Sequence, residues 1–207
     1  MNLPEEIRTI DDFKETITSI NKSRFIAQVY SLKTEDEVKD YLTKAKKKYY
    51  DASHHCYAYK FADGKFHYSD AGEPNGTAGI RILNAIDHFE LVDQLVIVSR
   101  IFGGIKLGVG PLGKAYYESA FQVLNESKIE LKSLYQKILI SSDFNQVSSI
   151  HRILSQKKSI IVKSEYEDSL KVECLIKPAT SGQIHQILAE SGKNRINIVV
   201  TSEFIYK

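Results

Sequence analysis

The first third of the chain alternates apolar and polar positions and then changes to helical spacing. Residues 15–20 and 24–31 have the period of two that predicts strands, and a short turn separates them. After Thr34, apolar residues recur at intervals of three and four, so we predict a helix from there to Lys48. Thr34 can cap this helix, and Glu37 stands at the capping-box position. The pattern therefore predicts a hairpin followed by an amphipathic helix.

The strand period returns at residues 54–61, where alternation places His54, Cys56 and Ala58 on one face of the strand. Helical and strand periods then alternate once more before residue 126. Three elements are predicted there: a helix that ends at Phe89 and is capped by Thr77 or Asn75, an apolar strand at 94–99, and a helix at 112–125 that opens near Pro111.

The pattern changes after Glu126, and a second series of elements begins. The predicted elements are strands at 134–141, 159–164, 170–176 and 194–201 and helices at 144–156 and 181–190, with a tight turn at 165–168. Their order, βαββαβ, is the ferredoxin-like plan. We therefore predict an α+β chain of two domains, residues 1–128 and 133–207, with a short linker near residues 127–133.

Composition narrows the classes of protein without selecting one. The net charge of +2 is nearly neutral, so an interaction with nucleic acid must rest on local clusters of basic residues. No apolar run approaches the length of a membrane span, and the first residues lack a basic region followed by an apolar core, so we expect a cytoplasmic protein with no membrane partner. The two cysteines, Cys56 and Cys174, lie far apart in the sequence, so we expect neither a disulfide framework nor a metal site, and no cofactor.

Eight of the 11 glycines lie between Gly72 and Gly113, in two loops that each precede a helix. Glycine is costly inside regular elements and is retained where the backbone needs a positive φ or a close approach, so this concentration suggests a site. The first glycine loop, residues 70–79, contains a predicted β-turn at residues 73–76. Its candidate residues are Asp70, Gly72, Glu73, Pro74, Gly76, Thr77 and Gly79.

The second glycine loop, residues 103–113, leads into the predicted helix at 112–125. Both glycine loops therefore present a helix N-terminus, where free N–H groups and the positive end of the helix dipole suit anions, and basic side chains in the same stretch add charge. We therefore predict a surface that binds phosphate or the RNA backbone. Its candidate residues are Arg81, Arg100, Gly103, Gly104, Lys106, Gly108, Gly110 and Lys114.

Each of these features has a plainer interpretation. The basic residues can be solvated charges around a tightly packed loop, and the basic run at residues 44–48 can either be a solvated helix end or contribute to RNA binding. Phe102 and Tyr116 can stack on bases or simply pack. His54 and Cys56 are accessory candidates, as a base with a nucleophile or as metal ligands, but a buried thiol beside a hydrogen-bonded histidine is the favoured interpretation, because free cysteine is among the most buried residue types.

The carboxylates of the first glycine loop also have two interpretations. Asp70 and Glu73 can act as a general acid and base, with His54 or His67 as a partner, or they can serve as turn and helix-capping acceptors. No catalytic residue is assigned from the sequence. Two nucleotide motifs are excluded: residues 108–115 match a P-loop only until Ala115, which lacks the hydroxyl that binds magnesium, and the G-x-G-x-x-G pattern does not directly follow a strand.

Two long segments resemble the signature of the IMPACT / YigZ family. They are SDAGEPNGTAGIRIL at residues 69–83 and RIFGGIKLGVGPLGKAY at residues 100–116. Ala71 departs from the family pattern, which has a second acidic residue there, and Arg81 stands where the family usually has proline. The resemblance implies an N-terminal domain similar to ribosomal protein S5 domain 2, with helices on one side of the sheet, and a ferredoxin-like C-terminal domain.

The resemblance also implies a role in translation. The pair of domains is similar to the fourth and fifth domains of the translocation elongation factor, and short bacterial-type members are the better match for a chain of 207 residues. We therefore expect a non-enzymatic regulator that binds RNA, the ribosome or a translation-associated protein. Two alternatives remain: an enzyme acting on a small phosphorylated or peptide substrate at the glycine-rich loops, and a protein-interaction module whose loops receive an acidic segment.

Overall fold

The structure is a computed structural model that describes residues 3–192 and 195–207. The chain divides into two compact units, Met1–Leu131 and Lys132–Lys207. We describe each unit by itself. The last predicted strand, at 194–201, is found at Ile196–Tyr206, and its first predicted residue, Asn194, lies outside the described residues.

The first unit contains a five-stranded sheet and three helices. Each pair of neighbouring strands in the sheet is antiparallel, and the order is β2-β3-β6-β4-β5. The five strands of the sheet are β2 (Lys14–Ile20), β3 (Ser23–Ser31), β4 (His54–Lys60), β5 (Phe66–Ser69) and β6 (Gln94–Ile101), and a short strand outside it, β1 (Glu6–Thr9), precedes them. The helices are α1 (Asp36–Lys48), α2 (Gly79–His88) and α3 (Val109–Asn125).

Helices cover both faces of this sheet, and the expectation of helices on one side is wrong. Cys56 and Val98 point to the face on which α2 and α3 pack, in a core that includes Ile82 and Tyr116. Neighbouring strand positions point to the opposite face, where Leu95, Ile97 and Tyr59 pack against Val38 and Ala45 of α1. Alternate residues along the central strands are therefore buried on opposite sides, which explains why β6 is apolar almost throughout.

The predicted hairpin of β2 and β3 is confirmed. The two residues that connect the strands, Asn21 and Lys22, have φ values of 46° and 66°. Two positive φ values are the requirement of the type I′ turn, whose twist matches that of the strands it joins.

Helix α1 begins at Asp36, slightly later than predicted. The Glu37 carboxylate accepts hydrogen bonds from the backbone N–H groups of Lys33 and Thr34, at 2.7 and 3.3 Å. The glutamate half of the capping box is therefore present, whereas the residue at the N-cap is Glu35 and makes no side-chain cap hydrogen bond.

The second unit has four strands in the order β10-β7-β9-β8, all antiparallel to their neighbours, and two α-helices. Its core joins Ile138 and Val172 of the sheet to Ile153 and Leu188 of the helices. Strand β7 begins at Glu130, inside the stretch predicted as a linker. The elements are β7 (Glu130–Ser142), α4 (Val147–Gln156), β8 (Ile160–Tyr166), β9 (Leu170–Ile176), α5 (Ser181–Ser191) and β10 (Ile196–Tyr206), with short 3-10 turns at Phe144–Gln146 and Pro178–Thr180.

Candidate nucleic-acid interface

The Asp70 carboxylate caps the N-terminus of α2. Its Oδ1 accepts hydrogen bonds from the backbone N–H groups of Ala78 and Gly79, at 2.9 and 2.8 Å, and its Oδ2 accepts one from Gly76 at 2.9 Å. Burial raises the pKa of Asp70, but these hydrogen bonds outweigh that effect and leave the pKa below its ordinary value. The positive end of α2 is thus already matched by a carboxylate of the same chain.

Three interpretations of the first glycine loop need correction. Neither Thr77 nor Asn75 caps α2, since the Thr77 hydroxyl donates instead to the Pro74 carbonyl at 2.6 Å. The β-turn lies one residue later than predicted, because the Thr77 N–H donates to the same carbonyl at 3.1 Å. The loop is also not an open anion site, because three of its N–H groups already bind Asp70.

The Glu73 carboxylate links the two glycine loops through a buried ion pair. Its Oε1 accepts a hydrogen bond from Nη1 of Arg100 at 2.7 Å and another from the Tyr116 hydroxyl at 2.8 Å. The side chains of Glu73 and Arg100 are 4% and 7% exposed, so water screens this pair very little. Burial, Cys56 and Glu73 all raise the pKa of Tyr116, which therefore remains a neutral donor.

Arg100 was predicted to face an external anion, and the structure instead places it inside the unit. It belongs to β6 and lies across from Phe25 of β3 and His54 of β4. Its guanidinium carbon lies 5.5 Å from the centroid of the Phe25 ring and 5.4 Å from that of the Phe102 ring. Tyr116, fully buried, is likewise not a surface for base stacking.

Cys56 and His54 lie beside this ion pair. The Cys56 thiol is fully buried and donates to the Asp70 carbonyl at 2.9 Å, and burial raises its pKa to about 12. A thiol with so high a pKa is a poor nucleophile, which favours the packing interpretation. His54 donates from Nδ1 to the Ala71 carbonyl at 2.9 Å, and its Nε2 lies 3.9 Å from Oε2 of Glu73.

Close backbone contacts account for two of the motif glycines. A Cβ at Gly103 would lie 2.1 Å from the carbonyl carbon of Lys22, and a Cβ at Gly79 would lie 2.7 Å from the backbone nitrogen of Ser69. Side chains at these positions would separate the glycine loops from the neighbouring strands. Other glycines of the two loops have positive φ: Gly72, Gly76, Gly104 and Gly108.

The second glycine loop is exposed, and it opens α3 three residues earlier than predicted, at Val109. Gly108 is the N-cap and has no side chain to offer. In the part of the chain that the structure describes, no acceptor is found for the N–H groups of Val109 and Gly110. Unlike α2, helix α3 therefore presents unpaired donors to solvent.

Basic side chains lie around this helix end. Lys106 is exposed in the loop, and Lys114 lies in the second turn of α3, where its Nζ is 3.5 Å from the carboxylate of Glu118. Arg81 of α2 runs beside the same turns, since a Cβ at Gly113 would lie 3.3 Å from its Nε. Of the predicted anion site, the structure thus brings together the loop glycines, Lys106, Lys114 and Arg81, but not Arg100.

The structure places Phe102, which the sequence indicated as a residue that can either stack on bases or pack, next to the buried Arg100. Its ring covers Arg100, and the residue is 44% exposed. Alternation along β6 from Val96 through Val98 to Arg100 was the available signal, because it places Arg100 on the inner face. Its partner, the Glu73 carboxylate, is distant in sequence, and no sequence pattern predicts that the two side chains pair.

Two further observations concern absent features. In the described ranges, His, Cys, Asp and Glu side chains form no group of three that could hold a metal ion. Among the helices of residues 3–192 and 195–207, none is both long and apolar enough to cross a membrane.

The fold and the two motif loops define an α+β protein with an Impact N-terminal domain, whose family model matches residues 21–124. The chain belongs to the IMPACT family. It is 30% identical over 192 residues to the IMPACT family member YvyE of Bacillus subtilis, a match that covers 91% of this chain and 88% of the relative.

Two other matches extend over nearly the whole chain. IMPACT family member YigZ of Escherichia coli is 26% identical over 191 residues, and the match covers 90% of this chain and 94% of the relative. A solved structure described as the crystal structure of a hypothetical protein is 25% identical, with a TM-score of 0.70, and the match covers 97% of this chain and 100% of that one. Both units therefore have counterparts in single related chains.

Proposed function

We propose that the protein binds the phosphate backbone of RNA through the second glycine loop and acts, without catalysis, as a cytoplasmic regulator of translation. The observation that carries this proposal is the exposed start of α3. There the N–H groups of Val109 and Gly110 have no acceptor among residues 3–192 and 195–207, and Lys106 and Lys114 supply positive charge. The partner is RNA free in solution, ribosomal RNA, or RNA held by a translation-associated protein.

Gly110 adds support because nothing inside the protein requires a glycine there. It lies in the first turn of α3, its φ is not positive, and a Cβ would meet nothing within 4 Å. Glycine costs about 1 kcal/mol relative to alanine inside a helix. Without a side chain at this position, a phosphate can approach the N–H groups of the first turn closely. Binding of phosphate would therefore explain why the residue is a glycine.

The contrast between the loops favours the second one as the binding site. Helix α2 has its N-terminus matched internally by Asp70, whereas α3 has an N-cap without a side chain. The first glycine loop then has a supporting role, since Glu73 holds Arg100 at the end of β6, directly before the second loop. Both motifs would in this way serve one surface.

We also propose finer assignments for the two units. The first, residues 1–128, is assigned to the ribosomal protein S5 domain 2 type, with α1 as an addition on the opposite face of the sheet, and the second, residues 133–207, to the ferredoxin-like type. The element order βαββαβ and the strand order β10-β7-β9-β8 support the second assignment. The resemblance of this pair to domains of the translocation elongation factor is consistent with a partner in translation, as an analogy of fold.

The enzyme alternative retains one favourable observation, the approach of His54 Nε2 to Glu73 Oε2 at 3.9 Å. Two of its other candidates have structural roles, because Asp70 caps α2 and Cys56 has a raised pKa. Glu73 also has one oxygen occupied by Arg100 and Tyr116. We therefore prefer the binding function.

Charge reversal tests this proposal. The double variant Lys106→Glu, Lys114→Glu should lose binding to purified ribosomes and to a short RNA stem-loop, measured by co-sedimentation and fluorescence anisotropy at low salt. The double variant Lys33→Glu, Lys39→Glu carries the same charge change at exposed positions near the start of α1, outside the basic run at residues 44–48, and should retain binding. Equal losses in both variants would remove the second loop as the site, and no binding by the native chain would reject the RNA function.

A further inference from the structure

Phe102, Arg100 and Phe25 form a cation–π stack at the edge of the second glycine loop. The guanidinium carbon of Arg100 lies over both rings, 5.4 Å from the centroid of Phe102 and 5.5 Å from that of Phe25. Phe25 is fully buried, and the Arg100 side chain is 7% exposed, whereas Phe102 is 44% exposed. The stack therefore has a fixed interior and one exposed aromatic layer.

Buried side chains hold Arg100 and Phe25 in place. Nη1 of Arg100 donates to Glu73 at 2.7 Å, and the Tyr116 hydroxyl donates to the same carboxylate oxygen at 2.8 Å. Phe25 in turn packs edge-on against the Tyr116 ring, with centroids 5.2 Å apart. An aromatic ring placed on such a support loses little conformational freedom when a ligand binds it, which lowers the entropic cost of binding.

The surroundings of Phe102 suit a nucleotide better than an apolar peptide. The next two residues, Gly103 and Gly104, have no side chains to cover the ring, and a Cβ at Gly104 would meet nothing within 4 Å. Lys106 and the start of α3 follow within seven residues and supply positive charge and free N–H groups. An exposed aromatic next to a basic loop matches a ligand with a planar base and a phosphate.

We propose that Phe102 is a stacking platform for an unpaired nucleobase, so that the second glycine loop selects single-stranded RNA over duplex RNA. This inference rests on the proposed RNA binding by the same loop. In a duplex the base faces are covered by neighbouring base pairs, and only the backbone would be available to the loop. Stacking of a single base on an aromatic side chain is sequence-tolerant, so no base preference is required.

The test compares a 12-nucleotide RNA containing 2-aminopurine with the same strand annealed to its complement. The native chain should bind the single strand on the order of tenfold more tightly and quench its 2-aminopurine fluorescence, as stacking on an aromatic ring does. Phe102→Leu should lose both the quenching and the preference while keeping its affinity for duplex. Phe102→Tyr should retain both, and Phe66→Leu, a change at another exposed phenylalanine of the first unit, should have no effect.

The outcomes separate the inference from the function on which it rests. Equal affinity of the native chain for single strand and duplex, lost in Lys106→Glu, Lys114→Glu but unchanged in Phe102→Leu, would keep the phosphate site and overturn the stacking platform. Absence of binding to either RNA would overturn the RNA function itself. Circular dichroism of each variant checks that the loss is not caused by unfolding.

Discussion

At the residue scale, the Glu73 carboxylate is where the two sequence motifs meet. It belongs to the first glycine loop, and its hydrogen bonds reach Arg100 and Tyr116, which begin and end the second motif. Removing one partner of a buried pair leaves an uncompensated charge in a medium that screens poorly, and this cost exceeds the net contribution of the intact pair. Much of the motif therefore has a structural explanation.

Replacing Glu73 with glutamine should destabilise the protein strongly. We expect Glu73→Gln to lower the free energy of unfolding by about 3–5 kcal/mol, because Arg100 would keep its buried charge without a carboxylate. Urea denaturation followed by circular dichroism measures the change. The matched control is Glu118→Gln, whose exposed pairing with Lys114 should contribute less than about 1 kcal/mol. Similar losses in both variants would contradict the account of the buried pair.

Ala71 adopts a backbone conformation that suits other residues better. Its φ is 45°, in the left-handed region, where a Cβ is unfavourable and glycine is not penalised. We expect Ala71→Gly to raise the free energy of unfolding by about 0.5–1 kcal/mol, in contrast to the usual effect of introducing glycine. Thermal denaturation should resolve the difference. The control variant Ala62→Gly, at a residue without a positive φ, should not raise the free energy of unfolding. A lower melting temperature for Ala71→Gly would contradict this reasoning.

At the scale of elements, the start of α2 depends on the ionised form of Asp70. Since the pKa of Asp70 is below its ordinary value in the folded chain, its contribution to stability is fully present above the unfolded pKa of about 3.9. That contribution is lost as the pH falls through the lower, folded pKa. We expect Asp70→Asn to cost about 1 kcal/mol near pH 7 and less toward pH 2. Denaturation curves across this range measure the effect, and a difference that does not vary with pH would contradict the charged cap.

Helix α3 allows stability and binding to be separated at one position. Gly110→Ala should raise the free energy of unfolding by about 0.5–1 kcal/mol, because alanine favours the helix, and should weaken RNA binding by obstructing the N–H groups. Gly182→Ala is the matched control, since Gly182 is also the second residue of a helix and a Cβ there meets nothing within 4 Å. The Gly182→Ala variant should gain the same free energy of unfolding and should bind RNA as the native chain does. Unchanged binding by Gly110→Ala would contradict the approach of phosphate to this helix end.

Elements with a long periodic pattern could be predicted, whereas short ones could not. The β2–β3 hairpin and the order of the elements in the second unit follow from the alternation of apolar residues. Strands β1 and β5 have only four residues each, too few to establish a period. The cap of α2 was attributed to Thr77 or Asn75 rather than Asp70, because a cap reaching back across a loop is defined by the folded loop and not by spacing.

The candidate site was predicted only in part for a similar reason. The glycines, Lys106 and Lys114 are close in sequence, and the structure places Lys106 in the loop and Lys114 in the second turn of the helix that follows it. Arg100 was assigned to the surface because β6 was predicted to end at Ser99, whereas it continues to Ile101 and turns Arg100 inward. A pair such as Glu73 and Arg100 depends on which strands are neighbours, and no local pattern contains that information.

At the scale of the whole molecule, the net charge is nearly neutral, so any electrostatic attraction of RNA must come from a local cluster of charges. With 28 basic and 26 acidic side chains, the protein has no overall field to attract RNA. The proposed binding would therefore depend on the few donors and cations around the start of α3. This reasoning predicts that a change of two charges there has a far larger effect than the same change elsewhere on the surface.

The most direct test of the central claim, that the second glycine loop binds the RNA backbone, is the salt dependence of RNA affinity. For the native chain, the logarithm of the association constant should fall linearly with the logarithm of the salt concentration. The double variant Lys106→Glu, Lys114→Glu should show a slope shallower by roughly 1.4, the contribution of two phosphate contacts to a single strand. A salt-independent affinity of the native chain, or an identical slope in the variant, would contradict the claim.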